Sequence, residues 1–127
     1  YEGDFKFLFS SDLKSVFVRD LSSLEFERSV RNILNNAIEA SKTRKEISLN
    51  IYERESVVTL EVKDYGIGIP QAYLKKIGEK GFTFGKDNGT GIGIYYVKKL
   101  LSSISGSLSI TSVEGVGTSV FIDLPQN

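Results

Sequence analysis

Asn32 and Asn36 stand four residues apart, and three glycine-rich segments follow them in a set order. The segments are Asp64-Tyr65-Gly66-Ile67-Gly68-Ile69-Pro70, Gly89-Thr90-Gly91-Ile92-Gly93-Ile94 and Glu114-Gly115-Val116-Gly117-Thr118. Asparagine is a mediocre helix former because its side chain competes for backbone hydrogen bonds. Asn32, Asn35 and Asn36 in one helix therefore form either a solvated polar face or a functional one, in which Asn36 offers its amide oxygen to a hard cation such as Mg²⁺. Asp64 ends an apolar alternation, and a carboxylate turned inward needs partners. The backbone of Gly66 and Gly68 could supply them; alternatively, Asp64 accepts from an exocyclic amine such as that of adenine, with the two glycines letting the backbone approach a flat ring. Gly89, Gly91 and Gly93 lead into a helix, whose unpaired N–H groups and positive dipole end suit a phosphate. Such a segment could also be a hinge. It follows no strand of a βαβ unit and lacks a Gly-Lys-Ser/Thr ending, so it matches neither dinucleotide nor P-loop patterns. In the loop between, Lys80, Phe82, Thr83 and Lys86 are either surface residues or neighbours of a charged phosphate chain. Taken together these residues suggest a nucleotide pocket.

The elements that must position them read as follows. Phe5, Phe7 and Phe9 alternate with polar or smaller residues and predict a half-buried strand; Ser15–Val18 suggests a second short one. Asp20 or Ser22 can cap a helix running to about Ser41. At about 100° per residue, Phe26, Val30, Ile33, Leu34 and Ala37 share one side of it, and Glu25, Arg28, Ser29, Asn32, Asn36 and Glu39 the other. Ile47–Tyr52 and Val57–Asp64 read as strands joined by a turn at Arg54-Glu55-Ser56. Val58, Leu60, Val62 and Asp64 share a parity that faces the core. Pro70 opens a short helix to about Ile77. Gln71 to Asn88 is long for a connection and suggests a lid. Ile92–Ile104 is a second long helix ended by Gly106, and Leu108–Ser112 and Thr118–Leu124 are closing strands. Paired strands favour hairpins, so the fold class is α+β, a two-layer sandwich of a mixed or antiparallel sheet with helices on one face.

Composition excludes much else. The 127 residues suit one domain, and 16 basic residues cancel 16 acidic ones, so nothing global favours nucleic acid or an anionic membrane. No stretch approaches the roughly 20 apolar residues of a membrane span. With no cysteine and no histidine, thiolate chemistry, histidine bases and nitrogen or sulfur metal sites are excluded, leaving oxygen ligands. The sequence starts at Tyr1 without a signal-peptide pattern, and the expectation is a fragment of a larger protein.

These segments together resemble the ATP-binding domain of sensor histidine kinases, within the superfamily that also holds gyrase, Hsp90 and MutL. Arg31 to Ala40 resembles that family's asparagine box, Asp64 to Pro70 its first glycine box and Lys80-Gly81-Phe82-Thr83 its phenylalanine box. Gly89 to Ile94 resembles the second glycine box, and Gly115 to Pro125 the terminal strand segment. The resemblance implies a Bergerat fold with an ATP lid, and ATP and Mg²⁺ as ligands. It implies that Asn36 coordinates the metal and that Asp64 binds the adenine amine, with Gly66, Gly68, Ile69 and Thr118 nearby. Phe82, Thr83, Lys86, Gly89, Thr90, Gly91, Ile92 and Gly93 would line the nucleotide.

Asn32 would be the catalytic position of this family. ATP-hydrolysing relatives carry a glutamate there, whereas an amide cannot act as a general base. That favours phosphoryl transfer to an external acceptor, with the protein positioning groups and neutralising charge. Because the chain has no histidine, the acceptor would lie on a dimerisation and phosphotransfer domain outside it, with a response regulator downstream. The resemblance further implies a cytoplasmic location, in a parent protein that can be a membrane-anchored sensor, and no direct nucleic-acid or membrane contact by this domain. The competing readings are a regulatory serine/threonine kinase or ATPase of the same superfamily, and a module that binds nucleotide or partner without transfer.

Overall fold

The computed structural model describes residues 5–11, 22–79 and 93–126. The order is β1 (Lys6–Ser11), α1 (Ser23–Ala40), β2 (Glu46–Arg54), β3 (Val57–Asp64), α2 (Gln71–Leu74), α3 (Gly93–Ser103), β4 (Ser107–Val113) and β5 (Gly117–Pro125). The strands form one sheet in the order β1-β2-β3-β5-β4. β1 runs parallel to β2, and every other neighbouring pair is antiparallel. The expected α+β sandwich with a mixed, mostly antiparallel sheet is the one found. The expected strand at Ser15–Val18 lies outside the described residues. No described helix is long and apolar enough to cross a membrane.

Alternation builds the core. Asp64, Val62, Leu60 and Val58 of β3 pair with Thr118, Val120, Ile122 and Leu124 of β5, so both rows share one face of the sheet. Ile33 and Ala37 of α1 and Val97 and Leu101 of α3 pack on that face. Removing each large apolar side chain from water stabilises the fold by about 1.5–3 kcal/mol. The opposite face is more polar and carries cross-strand bonds such as Thr59 Oγ1 to Asp123 Oδ1 at 2.6 Å.

Local chemistry sets the ends of α1. Ser22 is its N-cap: Glu25 N–H donates to Ser22 Oγ and Ser22 N–H to Glu25 Oε1, both at 3.1 Å, a reciprocal capping box. The expected division of α1 into faces is corrected at one residue. Ser29, assigned to the polar side, is only 3% exposed. It stands in an i, i+4 row with Ile33 and Ala37, and its hydroxyl donates to the Glu25 carbonyl at 3.0 Å. The core therefore lies under the Ser29–Ile33–Ala37 row, and Asn32 and Asn36 are half-buried at its edge rather than solvated.

Three other expectations shift. The strand expected to be half-buried at Phe5 to Phe9 is β1, yet Phe7 and Phe9 are 50% and 66% exposed, because β1 is the edge of the sheet. The helix after Pro70 ends at Leu74, not near Ile77; Pro70 is its N-cap, and Lys76 and Glu79 then bond three residues back to Tyr73 and Lys76. α3 is closed by Ser105 in the left-handed region (φ 61°), while Gly106 supplies the N–H that bonds the Leu101 carbonyl at 2.8 Å.

Candidate functional site

Asp64, the last residue of β3, is 5% exposed on the core side, as its parity requires. Its Oδ1 accepts from Gly66 N–H at 2.9 Å and from Thr118 N–H, across the sheet, at 3.3 Å. The second backbone donor is thus Thr118 and not Gly68. Among the described residues, both bonds fall on Oδ1, which leaves Oδ2 for another donor. Burial pushes this carboxyl above its ordinary value of 3.8, against the opposing pull of the Gly66 and Thr118 N–H groups.

The chain after Asp64 is held from two sides. Ile67 N–H donates to the Ala40 carbonyl at 3.0 Å, and Gly66 is pressed so closely on that carbonyl that a β-carbon would overlap it. Ile67's own carbonyl accepts from Gly115 N–H at 2.8 Å, in the β4–β5 turn. Gly68 takes a left-handed φ of 71°, and a β-carbon there would overlap the Val113 carbonyl oxygen. Both glycines are therefore demanded by neighbouring backbone. Tyr65 lies under Arg44, whose guanidinium carbon is 3.7 Å from the ring centroid, with Lys63 Nζ at 5.2 Å.

The asparagines connect this loop to the second long helix. A β-carbon on Gly93, the first residue of α3, would lie 3.7 Å from Asn32 Cγ. Asn32, Asn36 and Ala40 form an i, i+4 row, so Asn36 sits midway between the start of α3 and the loop at Gly66. The row spans about 12 Å at 1.5 Å per residue. It therefore runs from the first described residue of α3, Gly93, to the loop that follows Asp64.

The structure ties Asp64 to Gly66 and Thr118, and Thr118 through Ser112 to Ile69; Gly68 lies against Val113 and Gly93 against Asn32, and Asn36 is one turn along α1 from Asn32. Phe82, Thr83, Lys86, Gly89, Thr90, Gly91 and Ile92 lie outside the described residues. Among the described residues no group of three or more acidic side chains could hold a metal ion. Asn36 carries an amide oxygen, a ligand type that a hard cation takes.

Ser112 was not singled out in the sequence. It is 8% exposed at the end of β4. Its Oγ accepts from Ile69 N–H at 2.8 Å, donates to the Gly117 carbonyl at 2.9 Å and meets Thr118 Oγ1 at 2.8 Å. Gln71 Nε2 donates to its carbonyl at 3.3 Å. The signal that could have found it is parity: Leu108, Ile110 and Ser112 alternate inward, so Ser112 is a polar residue at the inner end of a strand, as Asp64 is.

Residues 22–127 match the family of histidine kinase-, DNA gyrase B- and HSP90-like ATPases. The chain is 33% identical over 98 residues to a probable C4-dicarboxylate sensor kinase of Bacillus subtilis (strain 168), a match covering 74% of this chain and 18% of that protein. It is 34% identical over 99 residues to the sensor histidine kinase YxdK of the same strain, covering 72% and 30%. The mycobacterial sensor histidine kinase MprB superposes with a TM-score of 0.82 at 25% identity, over 96% of this chain and 82% of that one. The catalytic domain of histidine kinase ThkA shares the fold with the same TM-score at 24% identity, over 96% and 79%. The chain spans 18% and 30% of the lengths of the two Bacillus proteins. The asparagine row, the buried Asp64 and its glycine loop, and the match over residues 22–127 together make this chain a member of the histidine kinase-, DNA gyrase B- and HSP90-like ATPase family, of the kind found in sensor kinases.

Proposed function

We propose that residues 1–127 are one catalytic domain that binds Mg²⁺-ATP and presents the γ-phosphate to a histidine outside the chain. That histidine belongs to the dimerisation and phosphoacceptor domain of a larger, cytoplasmically oriented sensor kinase, and the phosphoryl group then passes to a response regulator. The observation that carries this reading is Asp64: a buried carboxylate whose Oδ1 is held by Gly66 and Thr118, so that Oδ2 can accept from the adenine amine.

The remaining roles follow from position. Gly68, Ile69 and Thr118 border the adenine recess. Asn36, midway along its row, offers an amide oxygen to Mg²⁺, and the other ligands would be phosphate oxygens and water. A bound Mg²⁺ supplies charge neutralisation at the phosphates. The N-terminus of α3 at Gly93 offers backbone donors to the phosphate chain, and we assign Gly89, Thr90, Gly91 and Ile92 to the same task. Gln71 to Asn88 would form the lid, with Phe82, Thr83 and Lys86 on its nucleotide side. Asn32 lies against Gly93 and carries an amide, which cannot take a proton from water. Its chemistry favours holding a nucleophile or phosphate by hydrogen bonds over hydrolysis.

Calorimetry tests the reading. The chain should bind Mg²⁺-ATP, and Asp64→Asn should weaken binding at least about 100-fold with the fold intact, because an amide donor then opposes the adenine amine. Equal affinity in the two proteins would remove the adenine role. Asn36→Ala should shift the Mg²⁺ dependence of binding; an unchanged titration would reject that ligand. Incubated alone with γ-labelled ATP, the chain should acquire no acid-labile label, since it holds no histidine.

A further inference from the structure

We infer that Ser112 is a positioning residue that sets the base selectivity of the pocket, by holding the Thr118 hydroxyl proton so that the wall beside Asp64 offers hydrogen-bond acceptors only. The inference rests on the ATP reading above.

The argument is a count of protons. Ser112, Thr118 and Asp64 stand in one cross-strand row, Ser112 paired with Thr118 and Thr118 with Asp64. All three are at least nine-tenths buried. A serine hydroxyl has one proton and two lone pairs. One lone pair takes the Ile69 N–H. The Gly117 carbonyl can only accept, so the proton of Ser112 goes there. One lone pair is left, and Thr118 Oγ1, 2.8 Å away, must donate to it. The reverse assignment would set a Ser112 lone pair against the Gly117 carbonyl at 2.9 Å, an unpaired and repulsive contact in a buried site.

Thr118 has then used its only hydroxyl proton. Its lone pairs remain, Asp64 is its cross-strand partner, and among the described residues no donor is seen on Thr118 Oγ1 or on Asp64 Oδ2. A wall of two acceptors pairs with the two N–H bonds of an exocyclic amine and opposes a carbonyl oxygen. The pocket should therefore select a 6-amino purine over a 6-oxo purine, and Ser112 enforces the choice without touching the base.

The test measures the dissociation constants of Mg²⁺-ATP and Mg²⁺-ITP, which differ at the 6-position, by calorimetry. Wild type should prefer ATP. In Ser112→Ala the Thr118 proton is released and can turn toward a 6-oxo group, so the ATP/ITP preference should shrink about tenfold. Ser112→Thr keeps the hydroxyl and should keep the preference. A purely structural role would weaken both nucleotides equally, and an unchanged ratio in Ser112→Ala overturns the inference while the adenine reading stands. Should Ser112→Ala fail to fold, Ser112→Cys, with its weak donor and acceptor, is judged by the same ratio. A wild type that binds ATP and ITP alike overturns both readings.

Discussion

At the start of β3 the chain reverses through Glu55 and Ser56, both left-handed (φ 52° and 64°) and both exposed, with no glycine in the turn. At the end of β3 it turns through Gly66 and Gly68, where only Gly68 is left-handed (φ 71°) and both are buried. The difference is in what lies alongside. The first turn faces solvent, so ordinary residues bear the left-handed cost of about 1–2 kcal/mol each and nothing else. The second lies against the carbonyls of Ala40 and Val113, which leave no room for a side chain. Those same backbones fix the loop beside Asp64. The glycine demand at this end is therefore a by-product of holding a buried carboxylate between the end of α1 and the β4–β5 turn.

The largest effect should come from closing that space. Gly68→Ala adds a left-handed penalty to an overlap that only backbone movement can relieve, for about 3 kcal/mol or more in total. The melting temperature should drop by about 10 °C, and ATP affinity should fall with it. A drop of only a degree or two would mean that the loop yields readily and that the contrast between the two ends is one of conformation alone.

Next in size is the charge at Asp64. Its folded-state carboxyl lies above the ordinary value, so the native state holds the proton more tightly than the unfolded chain does. The ionised group therefore costs stability above its raised value, and that cost disappears as pH falls through the raised value toward 3.8. Asp64→Asn keeps an oxygen for Gly66 and Thr118, so at neutral pH it should melt no lower than wild type, with any advantage fading in acid. Binding should run the other way. With Oδ1 occupied by two N–H donors, the proton enters at Oδ2 and turns the amine acceptor into a donor, so wild-type ATP affinity should fall as pH drops toward the raised value. An affinity constant across that range would show that Oδ2 does not face the amine.

The two ends also differ in how far they could be read from sequence. Period-two patterning puts Asp64 inward, and cap chemistry offers Asp20 or Ser22 for the start of α1, of which Ser22 is the cap, because both signals are local. The glycines after Asp64 stand where backbone presses on them, while Gly89 to Ile92 lie outside the described residues. What local patterning does not show depends on neighbours distant in sequence. The resemblance alone puts Thr118 near Asp64; its N–H bond to the carboxylate, across 54 residues, comes from the β3–β5 register. The parallel β1–β2 pairing has no local signature. The hydroxyl of Ser29 suggests a solvent-facing residue, although a buried serine can satisfy itself on the carbonyl four residues back. The left-handed Glu55 and Ser56 carry no residue type that announces them.

That last point gives the smallest prediction and the sharpest control. Two-residue hairpins with both central residues left-handed favour Asn-Gly, and this turn uses Glu-Ser. Glu55→Asn with Ser56→Gly should relieve part of the left-handed cost, offset by the greater unfolded-state freedom of glycine, for a net gain of about 1 kcal/mol. The hydrogen bond from Gln126 N–H to the Ser56 carbonyl at 2.8 Å uses backbone only and survives the change. The melting temperature should rise by about 3 °C. Nucleotide affinity should not move, because the substitution lies at the end of β3 opposite Asp64. A change in ATP affinity as large as the change in stability would mean that the two ends of the strand are mechanically coupled through the sheet, and the solvent-facing turn could no longer be treated as independent of the site.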